Sequence, residues 1–242
     1  MLKSLLRLFH SRQSEPPAPA RTDLHEEWDW LLPPRDVHDP AVWDRYWNDQ
    51  VSHDLGPSGC DLYTQDDDLI QVMRQCGFRR VLCVGSGLSQ EPRALAEAGL
   101  QVTALDLSPV ALQLAQAWPL TPRDVAYFFS EALIRPGGNV EFVAGDLVDP
   151  GVAPGPFDVI IERRTLQLFL PDEAGGALDA LAARLQPEGI LFSHCHSGAW
   201  KPPQPRVHLL RDLLVRQGWT IWETGMDPKP PGRVAWLLFT TG

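Results

Sequence analysis

The sequence contains little cysteine and no long apolar run. Its four cysteines are scattered and form no C-x-x-C pair, so they predict reduced thiols rather than a disulfide framework or a zinc site. The apolar run from Val234 to Phe239 is far shorter than the ~20 residues that cross a bilayer. We therefore expect no membrane span, and the reduced thiols favour a cytoplasmic location.

Basic residues are also in the minority, with 21 Lys and Arg against 31 Asp and Glu and a formal net charge of −10. This charge would repel a phosphate backbone unless a local basic stripe overrode it, and the sequence has no such stripe. The charge therefore argues against a nucleic-acid partner. Apolar residues make up 44% of the 242 residues, which is enough for one folded domain and excludes wholesale disorder.

The N-terminal part of the chain differs in composition from the rest. Residues 1–22 end in a segment of Ser, Pro and Ala without apolar periodicity, which predicts a flexible tail. Residues 23–76 predict a helical cap, because Trp43, Tyr46 and Trp47 are spaced to share one helical face. Such a face either packs against the main domain or contacts a bound molecule. The main domain is predicted to span residues 77–242.

Strand patterns alternate with helical patterns through this main domain. The predicted strands are 81–84, 101–105, 140–144, 157–161, 190–194, 220–223 and 234–240, and the helices between them are about 92–98, 109–118, 172–186 and 206–217. Strands separated by helices predict an α/β protein with a parallel sheet that is covered on both faces.

Three strands end in residues suited to an adenosine-bearing ligand. Gly85-Ser86-Gly87 allows a sharp turn and a close backbone approach before a helix N-terminus. Asp106 ends the next strand, where a carboxylate can accept hydrogen bonds from both ribose hydroxyls. Asp146 follows the third strand and can accept from an exocyclic amine, while Leu147 packs against a purine. Each is also an ordinary turn or capping residue, but three successive strand ends together predict such a cofactor.

The glycine loop favours one cofactor class over another. Gln90 stands where a dinucleotide fold requires its third glycine, which argues against NAD. With VGSGLS, ALDLS, AGDL and FDVIIE, the stretch from Val81 to Gly242 resembles the class I S-adenosylmethionine-dependent methyltransferases. The resemblance implies a Rossmann-like, seven-stranded, mostly parallel sheet with helices on both faces, a final antiparallel strand near the sheet edge, and S-adenosylmethionine as the cofactor.

The resemblance also implies roles for single residues. The implied cofactor-binding residues are Gly85, Ser86, Gly87, Asp106, Leu107, Asp146, Leu147 and Glu162. Glu162-Arg163 after the fourth strand, the proline-rich segment 201–205 and the upstream Trp43 and Trp47 resemble the thiopurine methyltransferase branch. The catalytic candidates are Glu162, Arg163 and His194, and the substrate candidates are Trp43, Trp47, Arg163 and His196, with no metal expected.

The sequence thus predicts an S-adenosylmethionine-dependent methyltransferase that transfers a methyl group to a sulfur, nitrogen or oxygen atom of a small molecule. A sulfonium methyl donor is already activated, so the protein mainly aligns the reactants and excludes water. The sequence does not select the acceptor. Two alternatives stay open: a non-catalytic binding module, because Cys83 and Ser89 depart from the family's loop pattern, and an NAD-dependent oxidoreductase.

Overall fold

The computed structural model describes residues 38–52, 67–119, 133–169, 173–196, 212–226 and 234–241. Its helices are α1 Pro40–Ser52, α2 Asp67–Cys76, α3 Glu91–Glu97, α4 Pro109–Ala117, α5 Ala174–Ala182 and α6, residues 212–216. Its strands are β1 Arg80–Val84, β2 Gln101–Asp106, β3 Asn139–Ala144, β4 Phe157–Arg163, β5 Leu185–His196, β6 Trp219–Met226 and β7 Val234–Thr241. Within these segments, every helix is too short or too polar to cross a membrane.

The strands form one sheet in the order β3-β2-β1-β4-β5-β7-β6. Strands β1 to β5 pair in parallel, whereas β7 pairs antiparallel with both β5 and β6. The predicted α/β class with a parallel sheet is confirmed, and it agrees with a Rossmann-like methyltransferase fold. Because the parallel strands run in one direction, their carboxyl ends meet at one edge of the sheet, where ligands bind in such folds.

Alternate residues of β1 are buried on opposite faces of the sheet, as the two-residue period of a strand requires. In β1, Leu82 and Val84 belong to the cluster that packs under α5, while Val81 and Cys83 belong to the cluster that packs under α2 and α3. Helices therefore cover both faces, which explains why these strands are apolar on both sides.

The helix that follows β2 begins where the sequence predicts. The Ser108 Oγ accepts a hydrogen bond from the Ala111 N–H at 3.0 Å, and Pro109 occupies the first helical position. A side-chain cap and a first-turn proline are typical of a helix start. They fix the direction in which α4 leaves Asp106, the last residue of β2.

Helix α2 lies in the core of the main domain, although the sequence analysis grouped it with the N-terminal cap. Its residues Leu69, Ile70 and Met73 are almost fully buried and pack with the strands. The tail at residues 1–22 and much of the proposed 23–76 cap lie outside the described residues. Helix α1 is therefore the described part of the predicted cap that lies outside this core cluster.

The predicted helix over 172–186 is shorter in the structure, since α5 is Ala174–Ala182 and β5 already begins at Leu185. Arg184, only 3% exposed, lies between them. Its guanidinium donates hydrogen bonds to the carbonyl groups of Asp149, Val152, Ala153 and Ala180. This arginine ties the last turn of α5 to the loop between β3 and β4.

Candidate active site

A cavity of about 200 Å³ lies at the carboxyl ends of β1, β2, β3 and β4. Its lining combines loop residues that follow the strands with aromatic residues from α1. The predicted site residues that line it are Trp43, Trp47, Gly85, Ser86, Gly87, Asp106, Leu107, Asp146, Leu147 and Arg163. Topology thus brings together the strand-end residues and the aromatic face that lie far apart in the sequence.

Asp106 is the most deeply buried carboxylate of the cavity wall, with 7% of its surface exposed. Its Oδ2 accepts a hydrogen bond from the Gly87 N–H at 2.7 Å, and its Oδ1 accepts one from the Ser108 N–H at 2.9 Å. Desolvation by burial raises the pKa of Asp106 to about 6, against the opposing effect of these backbone hydrogen bonds. Each oxygen has a further lone pair, so the ionised carboxylate can accept from hydroxyls of a ligand.

The loop after β1 needs glycine at two positions for two physical reasons. Gly85 and Gly87 have φ angles of 60° and 50°, in the left-handed region that residues with a Cβ rarely adopt. A Cβ at Gly85 would overlap the Thr165 side chain, and one at Gly87 would lie 2.6 Å from the Trp47 ring. The glycines therefore let Thr165 and Trp47 pack directly on the loop backbone.

Two buried polar atoms in the cavity wall have no hydrogen-bond partner within the described residues. They are the Ser86 Oγ and the Trp47 Nε1. A buried polar group without a partner carries a desolvation cost that a polar ligand group can remove. The orphaned hydroxyl and indole N–H, together with the Asp106 carboxylate, fit a ligand that carries both hydroxyl groups and hydrogen-bond acceptors.

Helix α1 places an aromatic wall on the cavity. The Trp43 and Trp47 rings are stacked, with centroids 6.5 Å apart and planes at 29°. Tyr46 meets both rings edge-on, with its centroid 5.5 Å from Trp43 and 5.0 Å from Trp47. The aromatic face predicted from the sequence therefore packs internally and also lines the cavity.

A polar contact fastens α1 to the main domain. Asp44 accepts a hydrogen bond from the Ser108 hydroxyl and a longer one, 3.3 Å, from the Val110 N–H. Ser108 is also the cap of α4. One carboxylate thus connects the aromatic helix to the start of α4, immediately beyond Asp106.

Replacing Asp44 with alanine is expected to lower the free energy of unfolding by about 1–2 kcal/mol, because two hydrogen bonds to a charged group are lost at a half-buried site. Urea denaturation measures the change. Asp49→Ala is the matched control, since Asp49 is exposed on the same helix. Equal effects of the two substitutions would show that Asp44 does not hold α1 in place.

Glu162 holds the turn that follows β4. Its side chain is completely buried, and its Oε2 accepts from the N–H groups of Thr165 at 2.9 Å and Leu166 at 3.1 Å. The Ser193 hydroxyl donates to its Oε1. Glu162 is absent from the described lining of the cavity, so the structure does not place it with the other predicted cofactor-binding residues. Sequence reasoning missed this capping role.

Arg163 is paired with an acidic residue that sequence reasoning did not single out. Its Nε donates to the Glu91 Oε2 at 2.7 Å, and its Nη2 donates to the Glu91 Oε1. The two side chains are 6% and 5% exposed. The guanidinium also lies over the Phe192 ring, 5.1 Å from its centroid. Both pairings join residues distant in sequence, which no local pattern signals.

Asp146 interacts with a residue that the sequence analysis did not identify. The Nδ1 of His38 lies 2.9 Å from the Asp146 Oδ2, and the Val148 N–H donates to the Oδ1 at 3.0 Å. The His38 ring also meets the Phe169 ring edge-on at 5.7 Å. The side chains of the predicted His194 and His196 lie outside the described part of the chain.

The comparisons with known proteins agree with this geometry. The family model described as "Methyltransferase domain" matches residues 82–193. A search of curated proteins finds no significant match. The chain shares its fold with a protein solved in work on "Conversion of a Disulfide Bond into a Thioacetal Group during Echinomycin Biosynthesis", at 23% identity and a TM-score of 0.55, over 83% of this chain and 92% of that one.

Two further solved structures share the fold at lower identity. Magnesium protoporphyrin IX methyltransferase from Synechocystis PCC 6803 is 18% identical, with a TM-score of 0.52 over 83% of this chain and 87% of that one. The glycopeptide N-methyltransferase MtfA is 13% identical, with a TM-score of 0.55 over 76% of this chain and 91% of that one. The domain match therefore identifies residues 82–193 as a methyltransferase domain, with the cavity at the carboxyl ends of its parallel strands.

Proposed function

We propose that this protein is an S-adenosylmethionine-dependent methyltransferase that acts on a small molecule and transfers the methyl group to a sulfur, nitrogen or oxygen atom by in-line displacement. The observation that carries the proposal is the shared cavity, in which strand-end residues form one wall and the aromatic residues of α1 form another. Aromatic side chains offer a large apolar surface that suits a flat or apolar molecule. The acceptor would therefore lie against Trp43, Tyr46 and Trp47.

The strand-end wall supplies the groups that would hold the cofactor. Asp106 would accept hydrogen bonds from the ribose hydroxyls, and Asp146 would accept one from the adenine amine. The backbone of Gly85 to Gly87 and the Ser86 hydroxyl would face the amino-acid part. When bound, S-adenosylmethionine supplies a methyl group on a sulfonium that is already activated for displacement.

The ionisable groups of the described lining favour an acceptor that needs little help in losing its proton. The carboxylates there are Asp106 and Asp146, and both already accept hydrogen bonds from the protein. A hydroxyl acceptor benefits from a general base by about 10²–10⁴-fold, whereas a thiol ionises more readily near neutral pH. We therefore place thiols first among the acceptor classes.

The resemblance of Glu162-Arg163 and of the Trp43 and Trp47 pair to thiopurine methyltransferases supports a narrower proposal. A flat heteroaromatic thiol would combine a planar ring for the aromatic wall with an ionisable sulfur. The thioacetal chemistry associated with one structure of the same fold adds a reason to begin the search with sulfur acceptors.

A methyl-transfer screen tests the proposal. Purified protein is incubated with S-adenosylmethionine and panels of heteroaromatic thiols, aromatic amines and phenols, and S-adenosylhomocysteine formation is measured. We expect the thiols to give the highest turnover. A variant with Asp179→Asn, an exposed substitution on α5, should behave as the unmodified protein.

Two outcomes would contradict the proposal. Preferential methylation of tRNA or DNA fragments over all three panels would exclude a small-molecule acceptor. Binding of S-adenosylhomocysteine without turnover of any acceptor class would favour the non-catalytic binding module.

A further inference from the structure

We propose that Arg163 is a positioning residue, which through its ion pair with Glu91 holds the glycine loop in the shape that binds the cofactor. The inference rests on the proposed placement of the cofactor at Gly85 to Gly87. It assigns Arg163 a different task from the substrate binding expected from the sequence, and it adds Glu91 to the residues on which the site depends.

The glycine loop is attached to β4 at both of its ends. At its start, Val84 is the register partner of Glu162. At its end, Glu91 forms the ion pair with Arg163, the next residue of β4. The chain between Val84 and Glu91 is therefore a short loop whose two ends are fixed to consecutive residues of one strand.

Other hydrogen bonds at the far end of the loop stay within the segment or reach α4: the Ser89 Oγ accepts from the Glu91 N–H at 3.1 Å, and the Gln90 Nε2 donates to the Ala115 carbonyl at 3.4 Å. Helix α3 has only seven residues, and its N-cap residue Gln90 makes no capping hydrogen bond with its side chain. A small cavity of about 20 Å³ lies beside the loop, with Ser86, Ser89, Glu91 and Arg163 in its wall. The ion pair therefore joins this end of the loop to β4 beside a gap in the packing.

The same contacts make Arg163 unsuited to binding an acceptor anion. Two nitrogens of its guanidinium are engaged by both oxygens of one carboxylate, and the pair is almost fully buried. Moving Arg163 toward another anion would leave the Glu91 carboxylate buried without its partner, which is strongly unfavourable. Stacking over Phe192 also fixes the plane of the guanidinium.

Titration with S-adenosylhomocysteine, in the absence of any acceptor, tests the proposal. The variants are Arg163→Met, Glu91→Gln and the double substitution, with Arg216→Met as an exposed control. Because each single substitution breaks the same constraint, each should weaken binding by about tenfold or more, and the double variant should be no weaker than the singles. Arg163→Lys, which keeps the charge but loses the two-pronged contact, should fall between.

Melting temperatures distinguish a positioning role of the Arg163–Glu91 ion pair from a role in stability alone. Each single variant removes the ion-pair partner of a buried charge and should melt lower, whereas the double variant should regain part of the loss because it removes both charges of the pair. Its affinity for S-adenosylhomocysteine should nevertheless stay low, since the contact between β4 and the far end of the loop is still missing. The double variant therefore keeps the test decisive even where a single variant fails to fold.

The results distinguish failure of this inference from failure of the proposed cofactor site. Lack of binding by the unmodified protein would overturn both. Normal binding by the unmodified protein and by folded Arg163→Met would overturn only the positioning role. Recovery of affinity together with melting temperature in the double variant would likewise show that the pair serves stability alone.

Discussion

Replacement of Asp106 with asparagine is expected to weaken S-adenosylhomocysteine binding by about 100-fold. Two hydrogen bonds from ribose hydroxyls to a charged acceptor are each worth about 1.5 kcal/mol or more, and 1.4 kcal/mol corresponds to a factor of ten. Asparagine keeps the size of the side chain but has one acceptor oxygen and no charge. Calorimetric titration of the variant and of the Asp179→Asn control measures the difference. A loss of less than threefold would place the cofactor elsewhere.

The raised pKa of Asp106, about 6, gives this prediction a pH dependence. The ionised carboxylate is the form that accepts from two hydroxyls, so affinity in the unmodified protein should fall as the pH drops through 6, by up to tenfold per unit. Asp106→Asn should remove this dependence. An affinity that is flat between pH 5 and pH 8 would show that the Asp106 charge does not contribute to binding.

The free energy of unfolding of the ligand-free protein should also depend on the protonation of Asp106. Its dependence on pH should have the opposite sign to that of the cofactor affinity. Burial raises the pKa of Asp106 above its ordinary value of 3.8, so the folded state binds the proton more tightly than the unfolded state does. The stabilisation from this proton is fully present below pH 3.8 and is lost as the pH rises through about 6. As the pH rises through about 6, cofactor affinity should therefore increase, while the contribution of Asp106 to the free energy of unfolding decreases.

Replacement of Gly85 with alanine is expected to lower the free energy of unfolding by about 3 kcal/mol and to abolish measurable cofactor binding. The positive φ angle of 60° costs a residue with a Cβ about 1–2 kcal/mol. The added Cβ would also overlap the Thr165 side chain, and overpacking of this kind costs about 1–3 kcal/mol. Relief of the overlap would displace the loop or the turn after β4, and both line the cavity.

Gly77→Ala is the matched control for this substitution. Gly77 has a similar φ angle of 73°, but a Cβ there would meet nothing within 4 Å. The Gly77→Ala variant should therefore lose only the free energy that the left-handed backbone conformation costs, about 1–2 kcal/mol. Thr165→Ala in the Gly85→Ala background should recover part of the stability, because the overlapping hydroxyl and methyl groups are removed. Equal losses at Gly77 and Gly85 would show that the Thr165 contact does not matter.

The sequence predicted those parts of the site that local pattern and strand topology determine. Residues at the carboxyl ends of parallel strands must meet at one edge, so the proximity of Gly87 and Asp106 follows from the strand pattern. Their 2.7 Å hydrogen bond confirms that proximity. The aromatic spacing of Trp43 and Trp47 likewise predicted a shared helical face, and the rings are stacked.

The parts that the sequence did not predict depend on tertiary contacts. The Arg163 pair with Glu91 and the Asp146 contact with His38 join residues 72 and 108 positions apart. Position after a strand does not show whether a side chain reaches the cavity, and Glu162 instead turns its carboxylate to backbone N–H groups. The apolar face of a helix also does not show which element it packs against, so the sequence analysis grouped α2 with the N-terminal cap.

Arg184 has a consequence for how the sequence can vary. The loop between β3 and β4 is rich in Gly and Pro, and its carbonyl groups at 149, 152 and 153 accept hydrogen bonds from this one guanidinium. A lysine has three donors on a single nitrogen and cannot span the same set. Related chains should therefore tolerate many substitutions inside the loop while retaining arginine at 184, a residue that lies outside both the loop and the cavity.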